Sequence, residues 1–193
     1  TEMKSHARDN FQKLFDLRPE ERGNFVMGGN QIDSPRFHKA YLNTPKLNSD
    51  NAGSYMFSGV KCSENNSCLP QEFQPFLNYM NSFEQDPFNQ VVVNWYENGE
   101  DHAAFHSDYT TNLREGSDIA IVSLNRVDHQ ARIFRLKPKK DTSDSKYDNY
   151  DIVCSNGSII RMGGLIQTEF RHCVPKLSGI TTERISITFR KYV

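Results

Sequence analysis

The residue types that could do chemistry gather at the end of the stretch 91–108, VVVNWYENGEDHAAFHSD, where His106 and Asp108 are two residues apart. In a β-strand, side chains two residues apart point to the same face, so this imidazole and this carboxylate could meet at one point. With a distant second histidine they would form the facial triad that holds non-haem Fe(II) and leaves coordination positions open. The pair alone is a weak signal, because a chain with 6 His and 24 acidic residues can contain an H-x-D in a solvated loop by chance.

His172 is the candidate for the second histidine. Period-two alternation predicts a strand over 166–172, with His172 on the apolar face and Gln167, Glu169 and Arg171 on a solvent-facing side. A histidine on a buried face is more often a core residue than a ligand. The metal-ligand interpretation therefore depends on a fold that brings this strand next to the H-x-D pair.

The segment 184–190, RISITFR, carries a second chemical signal. Its alternation predicts one apolar strand face and one polar face that begins with Arg184 and ends with Arg190. Two arginines that face one cavity require an anionic partner, and their forked donors match a dicarboxylate. The alternative is a solvated outer face, which is reasonable for an isolated strand.

The elements that must position these residues change in character along the chain. In the first half, spacing predicts helices over 5–17 and 69–83, strands over 35–42 and 54–60, and no regular structure over 23–34. The second helix would begin near Pro70 and bury a stripe that runs from Phe73 to Phe83. From residue 90 onward, period two predicts strands over 91–96, 118–124, 132–136, 158–162, 166–172 and 184–190. The polar stretch 137–150 is predicted to be an exposed, mobile loop.

Many short strands in the second half predict a mainly β fold, either a sandwich or a jelly roll, with helices packed outside it. At 193 residues the chain is expected to form one domain. It has no run of some 18 apolar residues, and no signal segment opens it, so we expect no membrane span. The four cysteines form no C-x-x-C pair and indicate reduced thiols in an intracellular, cytoplasmic or nuclear protein. A net charge of -1 argues against a strongly basic nucleic-acid binder but leaves a local basic patch open.

Together these segments resemble the AlkB family of Fe(II)- and 2-oxoglutarate-dependent dioxygenases. The matching motifs are N-x-Y at 94–96, H-x-D at 106–108, IVSL at 121–124, NGSIIRMGG at 156–164, Q-x-x-x-x-H at 167–172 and R-x-S-x-T-x-R at 184–190. Each motif is weak alone, but their order and spacing over 90–190 make the combination specific. The resemblance implies a double-stranded β-helix core over 90–193, preceded over 1–89 by helices and a substrate lid.

The resemblance also implies roles for the residues named above. His106, Asp108 and His172 would hold Fe(II), and 2-oxoglutarate and O2 would be the co-substrates. The distal carboxylate of 2-oxoglutarate would be held by Arg184 and the Tyr96 hydroxyl, and its iron-chelating end by Asn94 and Arg190. Ser186 stands where the family usually has Asn. We expect the shorter serine hydroxyl to replace the hydrogen bonding of that Asn, through a bridging water where it is too short for direct contact.

The predicted substrate contacts are weaker. Arg36, Tyr41 and the segment 55–59 resemble the family's lid, in which Tyr55 and Phe57 would stack on a base. Nucleobase-repair members usually follow H-x-D with acidic residues, one of which contacts the base. Here Tyr109 follows, and it is the residue we expect to line the substrate site. The alternatives are that the lid aromatics pack on the sheet and that the lysine run is a solvated loop. Six cations are candidates for phosphate contacts: Arg126, Arg132, Arg135, Lys137, Lys139 and Lys140.

The function implied by the resemblance is oxidative demethylation of N-alkylated bases in DNA or RNA, in DNA repair or RNA modification, by a protein expected to be monomeric. Two alternatives stay open. One is a protein or small-molecule hydroxylase of the same superfamily, which the missing acidic residues and the lack of basic excess favour. The other is a non-catalytic nucleic-acid-binding module, which the complete triad and the arginine pair disfavour.

Overall fold

The computed structural model of the chain describes residues 2–27, 30–42, 55–57, 60–62, 68–108, 110, 113–139 and 149–192. In the first half these contain α1 (Glu2–Asp16), β1 (Asn24–Met27), β2 (Asn30–Asp33), β3 (Phe37–Leu42), β4 (Tyr55–Phe57), β5 (Val60–Cys62) and α2 (Gln74–Asn81). The second half contains β6 (Gln90–Tyr96), β7 (Ala103–His106), β8 (Ile119–Asn125), β9 (Arg132–Pro138), β10 (Tyr150–Cys154), β11 (Ser158–Met162), α3 (Ile166–Glu169), β12 (Phe170–Val174) and β13 (Arg184–Arg190).

A five-stranded antiparallel sheet in the order β11-β8-β13-β6-β3 is the main structural support of the site. One face of the sheet is apolar because every second residue of its three central strands, β8, β13 and β6, is aliphatic or aromatic, and this face is buried against α1 and α2. On β13 these residues are Ile185, Ile187 and Phe189, all with no exposed surface. The Trp95 indole donates a hydrogen bond of 2.9 Å to the Leu14 carbonyl and so joins the sheet to α1.

A four-stranded antiparallel sheet, β10-β9-β12-β7, covers the other face of the five-stranded sheet. The two sheets share an apolar cluster that includes Ile119 and Ile121 from β8 and Phe134 from β9. The polar face of β13 also lies between the sheets, and its four residues are at most 6% exposed. The prediction of a mainly β, double-stranded β-helix with flanking helices is therefore confirmed, and a solvated outer face for β13 is wrong.

Several local predictions were wrong. The segment predicted to be irregular over 23–34 contains the hairpin β1–β2, and the strand predicted over 54–60 is replaced by the two short strands β4 and β5. Phe83 is 63% exposed because α2 ends at Asn81, so the apolar stripe stops with Met80. Pro70 precedes a 3-10 turn over Gln71–Phe73 instead of opening an α-helix.

The stretch predicted as a single strand over 166–172 begins with the helix α3, and only Phe170 onward is extended. Strands β7 and β10 had not been predicted as separate elements. Of the stretch predicted to be a mobile loop over 137–150, residues 137 and 138 belong to β9 and residue 150 to β10, and 140–148 lie outside the described residues. Cys68, Cys154 and Cys173 are free thiols. Within the described part of the chain, no helix has the length and apolar character that crossing a membrane requires.

Candidate metal centre

The two histidines of the predicted triad come from neighbouring strands. His106 ends β7, His172 lies on β12, and the two residues are directly opposite each other in the ladder. Their ring centroids are 4.3 Å apart. One ligand atom from each of His106, Asp108 and His172 lies within 4.8 Å of the other two, a grouping that could hold a metal ion. The structure thus brings together the three residues that the sequence proposed as ligands.

Both imidazoles are held in the neutral form that binds metals. The Nδ1 of His106 is 2.8 Å from the Ala104 carbonyl, and because a carbonyl only accepts, Nδ1 carries the proton and Nε2 keeps its lone pair. Burial lowers the pKa of His106. Burial, and then the neighbouring His106, lower the pKa of His172 to about 3. Neither ring has to lose a proton to bind a cation at neutral pH.

Asp108 reaches the histidines from outside the strand, since β7 ends at His106. The Ser107 hydroxyl donates to the Phe170 carbonyl at 3.0 Å and fixes this short extension against β12. Burial alone would raise the pKa of Asp108, but the charge of Arg190 and the hydrogen bond that it donates lower it to about 2. The result is a carboxylate that stays ionised although its side chain is only 7% exposed.

Arg190 and Arg184 have different partners at the two ends of β13. Arg190 forms an ion pair with Oδ1 of Asp108 across the two sheets. Arg184 is 2% exposed, and its Nε donates to the Ser123 hydroxyl at 3.0 Å. Its Nη1 is buried and finds no acceptor among the described residues. A buried, charged donor without an acceptor is costly, so this position fits a carboxylate supplied by a ligand.

The remaining predicted co-substrate residues surround these arginines. The guanidinium of Arg184 lies over the Tyr96 ring, 4.9 Å from its centroid. Ser186 is 5% exposed and sits between Asn94 of β6 and Ser123 of β8 in the ladder. These predicted co-substrate residues all line the polar face between the two sheets. Their roles in binding 2-oxoglutarate stay predictions.

Arg36 is near the site, but its contacts differ from the predicted substrate role. Its Nε donates to Oδ1 of Asn94 at 2.8 Å, and its Nη1 donates to the His102 carbonyl at 3.2 Å. Tyr41 is 2% exposed in the core against the helices, so its assignment to the lid is wrong. The side chains of Tyr55 and Phe57, and all of Tyr109, lie outside the described residues.

The six predicted phosphate contacts fall into distinct groups. Arg132 is 1% exposed and donates to the carbonyls of Asn98, Asp101 and Pro175, so it is structural and that prediction is wrong. Arg126 pairs with Glu183, and Arg135 pairs with Asp151. Lys137 and Lys139 are exposed, and Lys140 lies outside the described residues.

Sequence reasoning missed Gln167, which it placed in solvent. Its side-chain amide contacts Asp108, because α3 turns the residue inward where a strand would have turned it outward. The only available signal was its place in the Q-x-x-x-x-H motif, five residues before His172.

A jelly roll that gathers two histidines and one carboxylate beside a buried arginine defines the class of non-haem iron oxygenases. Comparison with protein families agrees with this class: residues 3–190 match the model of the 2OG-Fe(II) oxygenase superfamily. The chain belongs to this superfamily. The family implies Fe(II), 2-oxoglutarate and O2, and the donor set of His106, Asp108 and His172 fits the metal.

Curated relatives confirm the resemblance to the AlkB family. The chain is 29% identical to human DNA oxidative demethylase ALKBH2 over 143 residues, which are 72% of this chain and 52% of that protein. It is 31% identical to the Arabidopsis thaliana protein of the same name over 121 residues, 53% of this chain and 37% of the relative. Bovine alpha-ketoglutarate-dependent dioxygenase alkB homolog 3 is 31% identical over 107 residues, 53% of this chain and 36% of the relative. The chain spans about half the length of the first ALKBH2 relatives it matches.

Proposed function

We propose that this protein is an Fe(II)- and 2-oxoglutarate-dependent dioxygenase that oxidatively demethylates N-alkylated bases in DNA or RNA. The observation that carries the oxygenase part is the three-ligand group at one end of the inner face of β13, with the unpartnered buried donor of Arg184 at the other. The nucleic-acid part is supported by the relatives, whose names describe DNA oxidative demethylases. The proposal includes a monomer that works in the cytoplasm or nucleus.

In this proposal, each group of residues has a separate task. His106, Asp108 and His172 would hold the metal and leave coordination positions open on the side away from the protein ligands. Fe(II), together with 2-oxoglutarate and O2, supplies the oxidation of a substrate C–H bond; on an N-methyl group, hydroxylation is followed by loss of formaldehyde.

The ends of β13 would orient the co-substrate. Arg184 would hold the distal carboxylate with its free Nη1, supported by Ser123 on its Nε and by Tyr96 beneath its guanidinium. Asn94 and Arg190 would orient the chelating end near the metal. Ser186 would contribute its hydroxyl between these two groups.

A basic pocket on the outer face of the four-stranded sheet, the face opposite to that of His106 and His172, supports a nucleic-acid partner. It is lined by Phe105, Lys137, Pro138, Lys139 and Arg171. Lys137 and Arg171 are paired in the β9–β12 ladder, and within the described part of the chain neither has an acidic partner. Phe105 is 41% exposed and directly precedes His106. Three cations and no carboxylate in the lining suit contacts to a phosphodiester backbone.

The test is succinate formation with and without methylated oligonucleotides, combined with mass spectrometry of the oligonucleotide. We expect a methylated strand to stimulate turnover and to lose its methyl group. His172→Ala should abolish both signals, because a metal ligand is lost. Stimulation by an alkylated peptide or small molecule alone would instead support the hydroxylase alternative. Absence of 2-oxoglutarate turnover under all conditions would support a non-catalytic module.

A matched pair of variants tests the basic pocket. Lys137→Gln should weaken oligonucleotide binding and reduce the slope of log K against log salt by about 1, as expected for one lost phosphate contact. Arg135→Gln removes a charge from the same strand, but Arg135 is already paired with Asp151. It should change binding much less. Equal effects of the two variants would show a general charge effect and contradict the pocket.

A further inference from the structure

Gln167 forms two hydrogen bonds with Asp108, the candidate metal ligand. Its Oε1 accepts a hydrogen bond from the Asp108 backbone N–H at 3.0 Å, and its Nε2 donates to Oδ2 of the Asp108 side chain at 3.2 Å. A carboxamide has one acceptor and one donor group side by side, and here each meets its complement on the same residue. The contact therefore restrains both the main chain and the carboxylate plane of Asp108.

The local fold is what directs Gln167 at Asp108. Gly164 has a φ of +57°, a left-handed conformation that favours glycine, and it redirects the chain after β11. The short helix α3 follows, with its N–H groups at Thr168 and Glu169 donating to the Leu165 carbonyl. This single turn interrupts the strand period, and the chain becomes extended only at Phe170. One segment of the chain thereby supplies His172 and restrains Asp108.

The two carboxylate oxygens of Asp108 have different neighbours. Arg190 binds Oδ1 from the five-stranded sheet, while Oδ2 lies 3.6 Å from Nε2 of His172. With Arg190 alone, the carboxylate could still rotate about its bond to Cβ and present both oxygens to a cation. The donor from Gln167 fixes the plane so that Oδ2 is the oxygen beside the histidines.

We propose that Gln167 is a positioning residue that limits Asp108 to one metal-binding oxygen. A carboxylate that binds through both oxygens would occupy one more coordination position, and the facial triad needs its open positions for the co-substrates. Partners of this kind, which orient a ligand without touching the metal, typically affect metal affinity 10- to 100-fold. This inference rests on the metal-binding role proposed for His106, Asp108 and His172.

The test is metal titration of the purified protein with Co(II), followed by its visible absorption, which reports coordination number and geometry. Gln167→Met keeps the length of the side chain but removes both hydrogen bonds, and we expect about 10- to 100-fold weaker Co(II) binding and a changed spectrum. Gln167→Glu keeps the acceptor but lacks the donor, so its spectrum should also differ from that of the unmodified protein.

Thr168→Ala is the matched control. It removes the hydroxyl bond to the Leu165 carbonyl within α3 and leaves the contact with Asp108 intact, so it should bind Co(II) like the unmodified protein. The positioning role is overturned if Gln167→Met binds Co(II) with unchanged affinity and spectrum. It is also overturned if Thr168→Ala loses as much Co(II) affinity as Gln167→Met. If the unmodified protein and His172→Ala bind Co(II) equally, the metal site itself is misassigned and the inference fails with it.

Discussion

Arg184 and Arg190 begin and end the same strand on the same face, yet their electrostatic environments are opposite. Arg190 is neutralised within the protein by Asp108, so its charge has a partner before any ligand binds. Arg184 has a hydroxyl on one nitrogen and a buried Nη1 with no partner in the described structure. Six residues of extended chain separate them by roughly 20 Å. The comparison shows that Arg190 is already paired with a carboxylate of the protein, whereas Arg184 keeps a buried donor that fits an anion.

Removing the neutralised arginine should have the largest effect. Arg190→Met leaves the Asp108 carboxylate buried without its main counter-charge, and breaking a buried pair in this way costs about 3–5 kcal/mol. We expect this loss in the free energy of unfolding of the metal-free protein, measured in urea, together with loss of succinate formation.

Arg190→Lys is the control, because it keeps the charge beside Asp108. It should retain most of the stability and lower the rate of turnover more than the affinity for 2-oxoglutarate. Full stability of Arg190→Met would mean that the ion pair with Asp108 does not hold the site together.

Changing the arginine with the free donor should affect the co-substrate and little else. Arg184→Lys replaces the guanidinium, whose Nη1 is the free donor, by an ammonium of different shape and reach, and hydrogen bonds to charged groups contribute about 1.5–3 kcal/mol. The 2-oxoglutarate concentration for half-maximal succinate formation should therefore rise about 10- to 100-fold.

Ser123→Ala is the control for Arg184→Lys, since it removes only the hydrogen bond to Nε of Arg184. It should raise the 2-oxoglutarate concentration for half-maximal succinate formation less than Arg184→Lys does. If Arg184→Lys and Arg190→Lys shift the 2-oxoglutarate titration equally, the division of roles between the two arginines is wrong.

The same contrast explains what could be predicted from the sequence. The two faces of β13 were predicted correctly because its alternation is unbroken over seven residues and its apolar face needs a partner layer. The spacing of the motifs then identified the candidate ligands. The pairing of Arg190 with Asp108 joins residues 82 positions apart, one in the five-stranded sheet and one just beyond the end of β7, and no local pattern records such a contact.

The failures have local physical causes. A helix of four residues such as α3 is too short to show a period, so Gln167 was placed in solvent. Arg132 resembled its neighbours in sequence, but three backbone carbonyls accept hydrogen bonds from its two Nη groups, and these bonds favour its burial. Whether an Arg or Lys side chain is paired, buried or exposed depends on its tertiary contacts, and no local sequence pattern predicts those contacts.

A third arginine extends the comparison, and it gives the smallest effect. Arg36 lies beside His38, which is opposite Asn94 in the β3–β6 ladder. Burial, and then the charge of Arg36, lower the pKa of His38 to about 4. Among the described residues, Arg36 has no carboxylate partner, and its charge helps to keep the neighbouring His38 neutral.

This lowered pKa predicts a loss of stability in acid. The unfolded chain binds a proton at His38 near pH 6.5, whereas the folded chain binds it only near pH 4, so the stabilisation is complete above pH 6.5 and is lost as the pH falls toward 4. At pH 5 the loss from this one residue is about 2 kcal/mol. The pKa values of His106 and His172 are lowered too, so the pH profile of the unmodified protein alone does not isolate His38.

The measurement is the free energy of unfolding of the metal-free protein and of His38→Gln between pH 7.5 and 5. The variant should lose about 2 kcal/mol less over this range, and parallel profiles would show that His38 is protonated as easily in the folded protein as in the unfolded chain.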